Sequence, residues 1–173
     1  MLLLLGGCES LFPLEPPVFD LADCPAVFAG KPHSYVDGPL KWPTAEGTCE
    51  GLDDNPDDSV HTHLVTINSL AELSQLQVPA GAVAWVGLNN AERGTTTSPP
   101  DPDEFDWITA EPGIAVPWSS NSPDSNNLPT FARIEEEDGL LHDSVSETGD
   151  AGTPVDAICE CDAFPALAAR AGP

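Results

Sequence analysis

Residues 83–88 read Val-Ala-Trp-Val-Gly-Leu, a compact apolar run. A run of this length with β-branched and aromatic residues predicts a buried strand. Trp85 and Leu88 are large enough to fill a core, and Gly87 has no side chain to hold a neighbouring strand away. The segment therefore predicts a core strand with a second strand close to Gly87.

A helix is predicted before this strand. Trp42, Ala45 and Cys49 recur at spacings of three and four residues, which is the period of one helix face. Pro43 would lie in the first turn, where proline is well tolerated. We therefore predict a short helix over residues 43–49.

Further elements are predicted on both sides. Ser69 followed three residues later by Glu72 predicts a capping box that opens a helix over residues 69–77. Residues 89–127 are rich in Gly, Pro, Asp, Ser, Asn and Thr, which is typical of a long functional or disordered loop. Apolar or β-branched runs predict three more strands, at residues 61–67, 131–134 and 157–161.

The charge balance excludes one class of partner. The 173 residues, enough for one domain, carry 5 Lys and Arg against 29 Asp and Glu, a formal net charge of -24. Such a surface repels nucleic-acid phosphates, whereas divalent cations or hydroxyl-rich ligands suit it. The excess acid equally fits a secreted protein kept soluble by its charge. No basic patch is expected from the scattered basic residues Lys31, Lys41, Arg93, Arg133 and Arg170.

The cysteines predict an oxidising compartment. Cys8 stands alone near the start, while Cys24, Cys49, Cys159 and Cys161 form an even set. Such a set fits two disulfides. A zinc site is the rival interpretation, but one residue between Cys159 and Cys161 is fewer than zinc knuckles use.

The amino terminus resembles the end of a bacterial lipoprotein signal peptide. Residues 5–8, Leu-Gly-Gly-Cys, match the lipobox, whose Cys becomes lipid-modified. No basic n-region precedes them, so we expect the true start to lie upstream of Met1. The resemblance implies a partial signal peptide over residues 1–7, lipidation of Cys8 and a proline-containing spacer over residues 8–23. It also implies a location in a bacterial cell envelope, where we expect the outer membrane or the extracellular surface. The alternative is a short apolar end with a stray thiol.

The order of the remaining motifs resembles the C-type lectin-like domain from Cys24 to Cys161. The resemblance implies an α+β fold in which two short helices flank small antiparallel sheets and a long irregular loop region. The domain would span residues 24–162, followed by a tail over residues 163–173. The matching residues, in chain order, are Tyr35; Trp42, Ala45 and Cys49; Leu64, Ile67 and Glu72; Trp85 to Leu88; Phe105 to Trp107; and Ile158 to Glu160.

The same resemblance implies the disulfide pairing. It places a Cys49–Cys159 bridge between the first helix and the last strand, which leaves Cys24 and Cys161 as the second pair. Each bridge would close a long loop and stabilise the fold by up to roughly 4 to 5 kcal/mol in the chain-entropy model.

Sugar-binding members of the family hold calcium through a triplet in the long loop and a later Asn-Asp pair. Here the triplet falls on Ser122, Pro123 and Asp124, and the pair on His142 and Asp143. Ser and His replace oxygen-rich ligands, so the resemblance implies a degraded calcium site. The metal ligands would be Asp124, Asn126 and Asp143. The ligand-binding set would be Trp118, Ser122, Asp124, Asn126, Asn127, His142 and Asp143.

Two functions remain open on the sequence. One is glycan binding at these loop residues, with calcium as the candidate cofactor. The other is a calcium-independent protein-interaction or structural module. No G-x-S-x-G elbow and no H-E-x-x-H motif occurs in the sequence, so we expect a binding protein and not an enzyme.

Two smaller groups of polar residues have competing explanations. His61 and His63 are two residues apart and lie on one face of a predicted strand, beside Asp57 and Asp58. Such a group could form a metal site. Polar strand residues next to a solvated loop are the more common explanation. The acidic run 135–138 is most simply a solvated turn.

Overall fold

The structure is a computed structural model, and it describes residues 20–53, 60–76, 78–90, 101–109, 114, 117–124, 130–144 and 155–164. The signal-peptide segment, Cys8, most of the spacer, Asn126, Asn127 and most of the tail lie outside this part. The described α-helices are α1 (Trp42–Glu50) and α2 (Leu70–Leu73). The described strands are β1 (His33–Val36), β2 (His61–Leu64), β3 (Val83–Asn89), β4 (Asp106–Trp107), β5 (Phe131–Glu135), β6 (Leu141–Ser144) and β7 (Asp156–Asp162).

The strands form one sheet in the order β1-β7-β3-β5-β6, in which β2 also pairs with β7 and β4 with β3. Along one edge of β7 lies β1, antiparallel. Along the other edge, β3 pairs in parallel with the start of β7 and β2 pairs antiparallel with its end. The last described strand is therefore the centre to which three earlier strands attach.

Both faces of β3 are buried, as its apolar run predicts. Trp85 belongs to one core cluster, with Trp42 and Phe131, whose rings have centroids 5.0 Å apart. Val86 and Leu88 belong to a second cluster on the other face of the sheet. Side chains alternate along a strand, so Trp85 and Leu88 both fill core, as expected, but on opposite faces.

Gly87 lies where chain segments come close together. Its N–H donates to the carbonyl of Val65 at 2.9 Å, and its carbonyl accepts the N–H of Ile108 at 2.8 Å. A Cβ at this position would be 2.8 Å from the Leu64 carbonyl oxygen and 2.9 Å from Cγ1 of Ile108. The close approach predicted at Gly87 is confirmed.

The helices agree with the predictions to different extents. Helix α1 has Pro43 in its first turn and is one residue longer at each end than predicted. Helix α2 is capped by Ser69, whose hydroxyl accepts the Glu72 N–H at 3.1 Å, but it is shorter than predicted. Its last turn tightens, since Gln75 N donates to the Glu72 carbonyl at 2.7 Å. The Glu72 carboxylate does not close the expected capping box on Ser69, because it accepts the Asn68 N–H instead, at 2.7 Å.

Two disulfides join earlier parts of the described domain to β7. Cys24 is bonded to Cys161, with Cα atoms 6.0 Å apart, and Cys49 is bonded to Cys159, with Cα atoms 5.3 Å apart. These are the two pairs that the family resemblance implies. Among the described residues, no helix has the length and apolar character to cross a membrane.

Strand β6 was not predicted from the sequence. Its residues Leu-His-Asp-Ser show little apolar alternation, yet Leu141, Asp143 and Ser144 are buried. A turn over residues 136–138 joins β5 to β6, and Gly139 follows it with φ +65°. The acidic turn is exposed, as expected for residues 136–138.

Candidate functional site

The first candidate site, here called the loop site, comprises Trp118, Ser122, Asp124 and Asp143. The chain around Trp118 runs parallel to β6 and is bonded to it on both sides. Leu141 N donates to the Pro117 carbonyl at 3.1 Å, and Ser119 N donates to the Leu141 carbonyl at 2.8 Å. The backbone of residues 117–119 is thereby fixed against a strand of the sheet.

Asp143 and Asp124 meet within the loop site. The backbone N–H of Asp124 donates to the Asp143 carboxylate, 3.1 Å from Oδ1 and 3.2 Å from Oδ2. Asp143 is buried, with 8% of its surface exposed, whereas the Asp124 side chain is exposed. The buried carboxylate thus positions the backbone that carries the exposed one. The Ser122–Pro123 peptide between Trp118 and Asp124 is cis.

Trp118 is half-buried against the core. Its ring lies 4.8 Å from the ring of Phe105, centroid to centroid, at an angle of 58°. It packs against the second core cluster, which includes Leu141. One side of the indole is consequently held by the protein, and part of its surface stays exposed.

Among the described residues, His142 contacts acids at the β5–β6 connection and not the loop site. Its Nε2 lies 3.1 Å from Oδ2 of Asp138, and its Nδ1 lies 3.8 Å from Oε1 of Glu135. Successive side chains alternate across a strand, which explains why His142 turns away from Asp143. The structure therefore brings Asp124 against Asp143 and places Trp118 on the segment that pairs with β6, while Asn126 and Asn127 lie outside the described residues.

The donors of the loop site can be compared with the needs of calcium. Calcium takes about six to eight oxygen ligands. The described part of the loop site offers the carboxylates of Asp124 and Asp143 and the hydroxyl of Ser122. Both oxygens of Asp143 are also close to the Asp124 N–H. This donor set is too small to form a calcium site by itself.

A second group of polar residues lies across the sheet around β7. We call it the histidine–carboxylate cluster: His33, His63, Glu72, Glu160 and Asp162. His33 on β1 and His63 on β2 are both direct cross-strand partners of Glu160. The three residues therefore form a row across three strands on one face of the sheet.

Short contacts connect the cluster. His33 Nε2 lies 3.0 Å from Oε1 of Glu72 and 3.7 Å from Oε1 of Glu160. His63 Nε2 lies 3.2 Å from Oδ1 of Asp162. Glu160 also accepts the Thr66 N–H at 2.9 Å. His63, Glu160 and Asp162 are all buried, at 0%, 4% and 5% exposed.

Burial and charge act against each other in this cluster. Burial alone would lower the pKa of His33, but the Glu160 and Glu72 carboxylates outweigh it and raise that pKa to about 9. For His63, burial also acts to lower the pKa, and Asp162 and Glu160 reverse the direction, so its pKa is raised. Burial raises the pKa of Glu160, because the charged carboxylate is poorly solvated there.

Sequence reasoning missed this cluster. The interpretation of His63 as a polar residue beside a solvated loop is wrong, because its side chain is fully buried. The alternation of His61 with His63 and of Glu160 with Asp162 was visible in the sequence. What could not be read there was that β2 and β7 are neighbours, which places the two pairs together.

Comparisons with known proteins give matches in structure and none in sequence. No protein-family model and no curated protein matches the chain. The chain is similar to the crystal structure of the C-type lectin CEL-I from Cucumaria echinata, with 17% identity and a TM-score of 0.58, covering 75% of this chain and 89% of that one. It is also similar to the EPNH mutant of CEL-I, with 18% identity and a TM-score of 0.55, covering 75% and 88%.

A further similar structure is TC14, a C-type lectin from the tunicate Polyandrocarpa misakiensis, with 20% identity and a TM-score of 0.48, covering 74% of this chain and 94% of that one. Identity at these levels shows a shared fold and no more. The two helices, the single mixed sheet centred on β7 and the structural likeness to CEL-I together establish that the described domain has the C-type lectin-like fold.

Proposed function

We propose that this chain is a binding module of C-type lectin type, not an enzyme, and that it recognises glycans at the loop site. The observation that carries the proposal is the attachment of the segment around Trp118 to β6. That attachment presents the half-buried indole, the Ser122 hydroxyl and the exposed Asp124 carboxylate from one fixed piece of backbone. The shared fold with the C-type lectin CEL-I supports the same conclusion.

The chemistry of the loop site suits a sugar. Carboxylate and hydroxyl oxygens accept hydrogen bonds from sugar hydroxyls, and a bond to a charged acceptor is the stronger kind. The apolar face of a sugar ring can pack on an indole, which offers a large flat apolar surface. A net charge of -24 disfavours phosphorylated or sulfated glycans, so we expect neutral ones.

A glycan array probed with the full chain, with and without a chelator, tests this proposal. We expect binding to neutral glycans that is reduced in Trp118→Ala and in Asp124→Ala. The matched control is Glu137→Ala, which removes an exposed carboxylate in the turn between β5 and β6. Loss of binding in the control as well, or no glycan signal for the unmutated chain, would contradict the proposal.

The second candidate function is a calcium-independent protein-interaction or structural module. One observation favours it: both carboxylate oxygens of Asp143 face the Asp124 N–H, which leaves the loop site poor in free calcium ligands. Calorimetric calcium titration, combined with the glycan array, distinguishes the two candidate functions. Calcium heat lost in Asp124→Ala, with chelator-sensitive glycan signals, would support calcium-assisted glycan binding through Asp124, Asn126 and Asp143. Absence of both signals would support the second candidate.

We also propose that the chain is anchored in a bacterial cell envelope by lipid on Cys8, with the outer membrane or the extracellular surface as its place. The lipobox pattern at residues 5–8 supports this location. Metabolic labelling of a bacterial host with an alkyne-bearing fatty acid tests it. The full chain expressed behind a complete lipoprotein signal peptide should be labelled, and Cys8→Ser should not. Equal labelling of the two would refute lipidation at this position.

A further inference from the structure

The histidine–carboxylate cluster contains three buried groups whose ligand atoms converge. A nitrogen of His63 and one carboxylate oxygen each of Glu160 and Asp162 all lie within 4.8 Å of one another. An imidazole with two carboxylates is a donor set that zinc accepts, usually with ligand distances of about 2.0 to 2.2 Å. Calcium, by contrast, takes oxygen ligands and has little use for an imidazole.

The hydrogen bond at Nδ1 of His63 restricts the possible states of Nε2. Nδ1 lies 2.9 Å from the carbonyl oxygen of Leu64, and a carbonyl can only accept, so Nδ1 carries the proton. Nε2 faces Oδ1 of Asp162 at 3.2 Å. An ionised carboxylate also only accepts. Two lone pairs would therefore oppose each other unless a cation lies between them, either a proton on Nε2 or a metal ion.

Asp162 supplies a second, independent indication. Its Oδ1 accepts the Phe164 N–H at 2.6 Å, whereas its Oδ2 is buried and has no hydrogen-bond partner among the described residues. A buried carboxylate oxygen without a partner is costly. A proton on His63 would satisfy Oδ1 and leave Oδ2 as it is. A metal ion bound between Asp162 and His63 can take an oxygen that a proton on Nε2 does not reach.

The backbone around the three groups is held in place before any ion binds. Glu160 lies between Cys159 and Cys161, each of which forms a disulfide to an earlier part of the chain. The Thr66 N–H orients the Glu160 carboxylate, and the Leu64 carbonyl orients the His63 ring. Such outer contacts are typical of metal ligands, whose orientation they fix.

We propose that His63, Glu160 and Asp162 form a buried binding site for a divalent transition-metal ion of the zinc type. His63 contributes Nε2, and the two acids contribute carboxylate oxygens. The site is on the sheet at β2 and β7 and shares no residue with the loop site. It is therefore independent of the proposed glycan binding, and either can fail without the other.

Zinc titration of the chelator-treated full chain tests the proposal. We expect saturation at one zinc ion per chain and X-ray absorption showing nitrogen and oxygen neighbours with an imidazole signature. Asp162→Asn, which preserves the size of the side chain, should weaken zinc affinity at least about tenfold. The matched control is His142→Gln, which removes another histidine that lies beside carboxylates and should leave the affinity unchanged.

A measurement on the unmutated chain covers the case in which the variant does not fold. Nitrogen-15 spectra of the His63 ring should show Nδ1 protonated and Nε2 shifted on adding zinc. If His63 keeps protons on both ring nitrogens at saturating zinc, or if Asp162→Asn binds zinc as tightly as the unmutated chain, the cation at this place is a proton and the proposal is overturned.

Discussion

The buried carboxylate of Asp143 accepts a hydrogen bond from the backbone N–H of Asp124. This bond joins strand β6, which carries Asp143, to the long loop, which carries Asp124. The two acids thus have different tasks. Asp143 is 8% exposed and holds the loop backbone, whereas Asp124 points its own side chain to solvent. In the loop site, one carboxylate is structural and the other is available to a ligand.

Replacing Asp143 should therefore loosen the loop. Asp143→Ala should lower the free energy of unfolding by about 1 to 3 kcal/mol, since a charged acceptor is lost and the Asp124 N–H loses its partner. Asp143→Asn keeps a carbonyl oxygen in the same place and should cost less. Urea unfolding and hydrogen exchange at the Asp124 amide measure both effects. Unchanged amide protection in Asp143→Ala would refute the structural role.

Glycines at two positions should respond in opposite directions to alanine. Gly87→Ala should destabilise the fold by roughly 1 to 3 kcal/mol, because its Cβ would be 2.8 Å from the Leu64 carbonyl oxygen. Gly47→Ala, on the exposed face of α1 with nothing within 4 Å of the new Cβ, should stabilise it by about 0.5 to 1 kcal/mol. Thermal unfolding of the two variants compares them. Equal effects would contradict the close packing at Gly87.

The disulfides should contribute comparably to stability. Cys49→Ala with Cys159→Ala, and separately Cys24→Ala with Cys161→Ala, each release a loop whose sequence separation is 110 or 137 residues. Loops of this size predict a loss of roughly 3 to 5 kcal/mol for each pair. Denaturant unfolding under oxidising conditions is the measurement. A loss below about 1 kcal/mol for either pair would mean that the bridge hardly constrains the unfolded chain.

Alkaline pH should destabilise the metal-free protein through His33. Its pKa rises from 6.5 to about 9 in the fold, where Glu72 and Glu160 face the ring. Because the folded-state pKa is the higher one, this stability is fully present below pH 6.5 and is lost as the pH rises to about 9. The loss should be on the order of 3 kcal/mol.

Unfolding at a series of pH values in the presence of a chelator measures this effect. His33→Gln should flatten the slope between pH 6.5 and about 9. His142→Gln serves as the control and should retain that slope. If His33→Gln keeps the full pH dependence, another group is responsible.

The sequence predicted local elements better than the contacts between them. The apolar run around Trp85 predicted a core strand, and Pro43 predicted the start of α1, because both patterns report on neighbouring residues. The family resemblance implied both disulfides correctly. Strand β6 was missed because its burial depends on pairing with β5 and on the segment around Trp118, neither of which leaves an alternating pattern.

The candidate sites show the same division. The segment that contains Trp118 and Asp124 was identified from a motif, but the task of Asp143 required the fold. The contact of His63 with Asp162 could not be predicted from the sequence, because the two residues are far apart along the chain. Predicting it would have required the register of β2 on β7.

Titration of the isotope-labelled full chain with the strongest glycan from the array shows whether glycans bind at the loop site. We predict that amide signals of Ser122 and Asp124 and the indole signal of Trp118 shift together and saturate, while the signal of the Glu137 amide stays in place. Saturable shifts confined to another surface, or no shifts at the loop site while the array shows binding, would contradict glycan binding at the loop site.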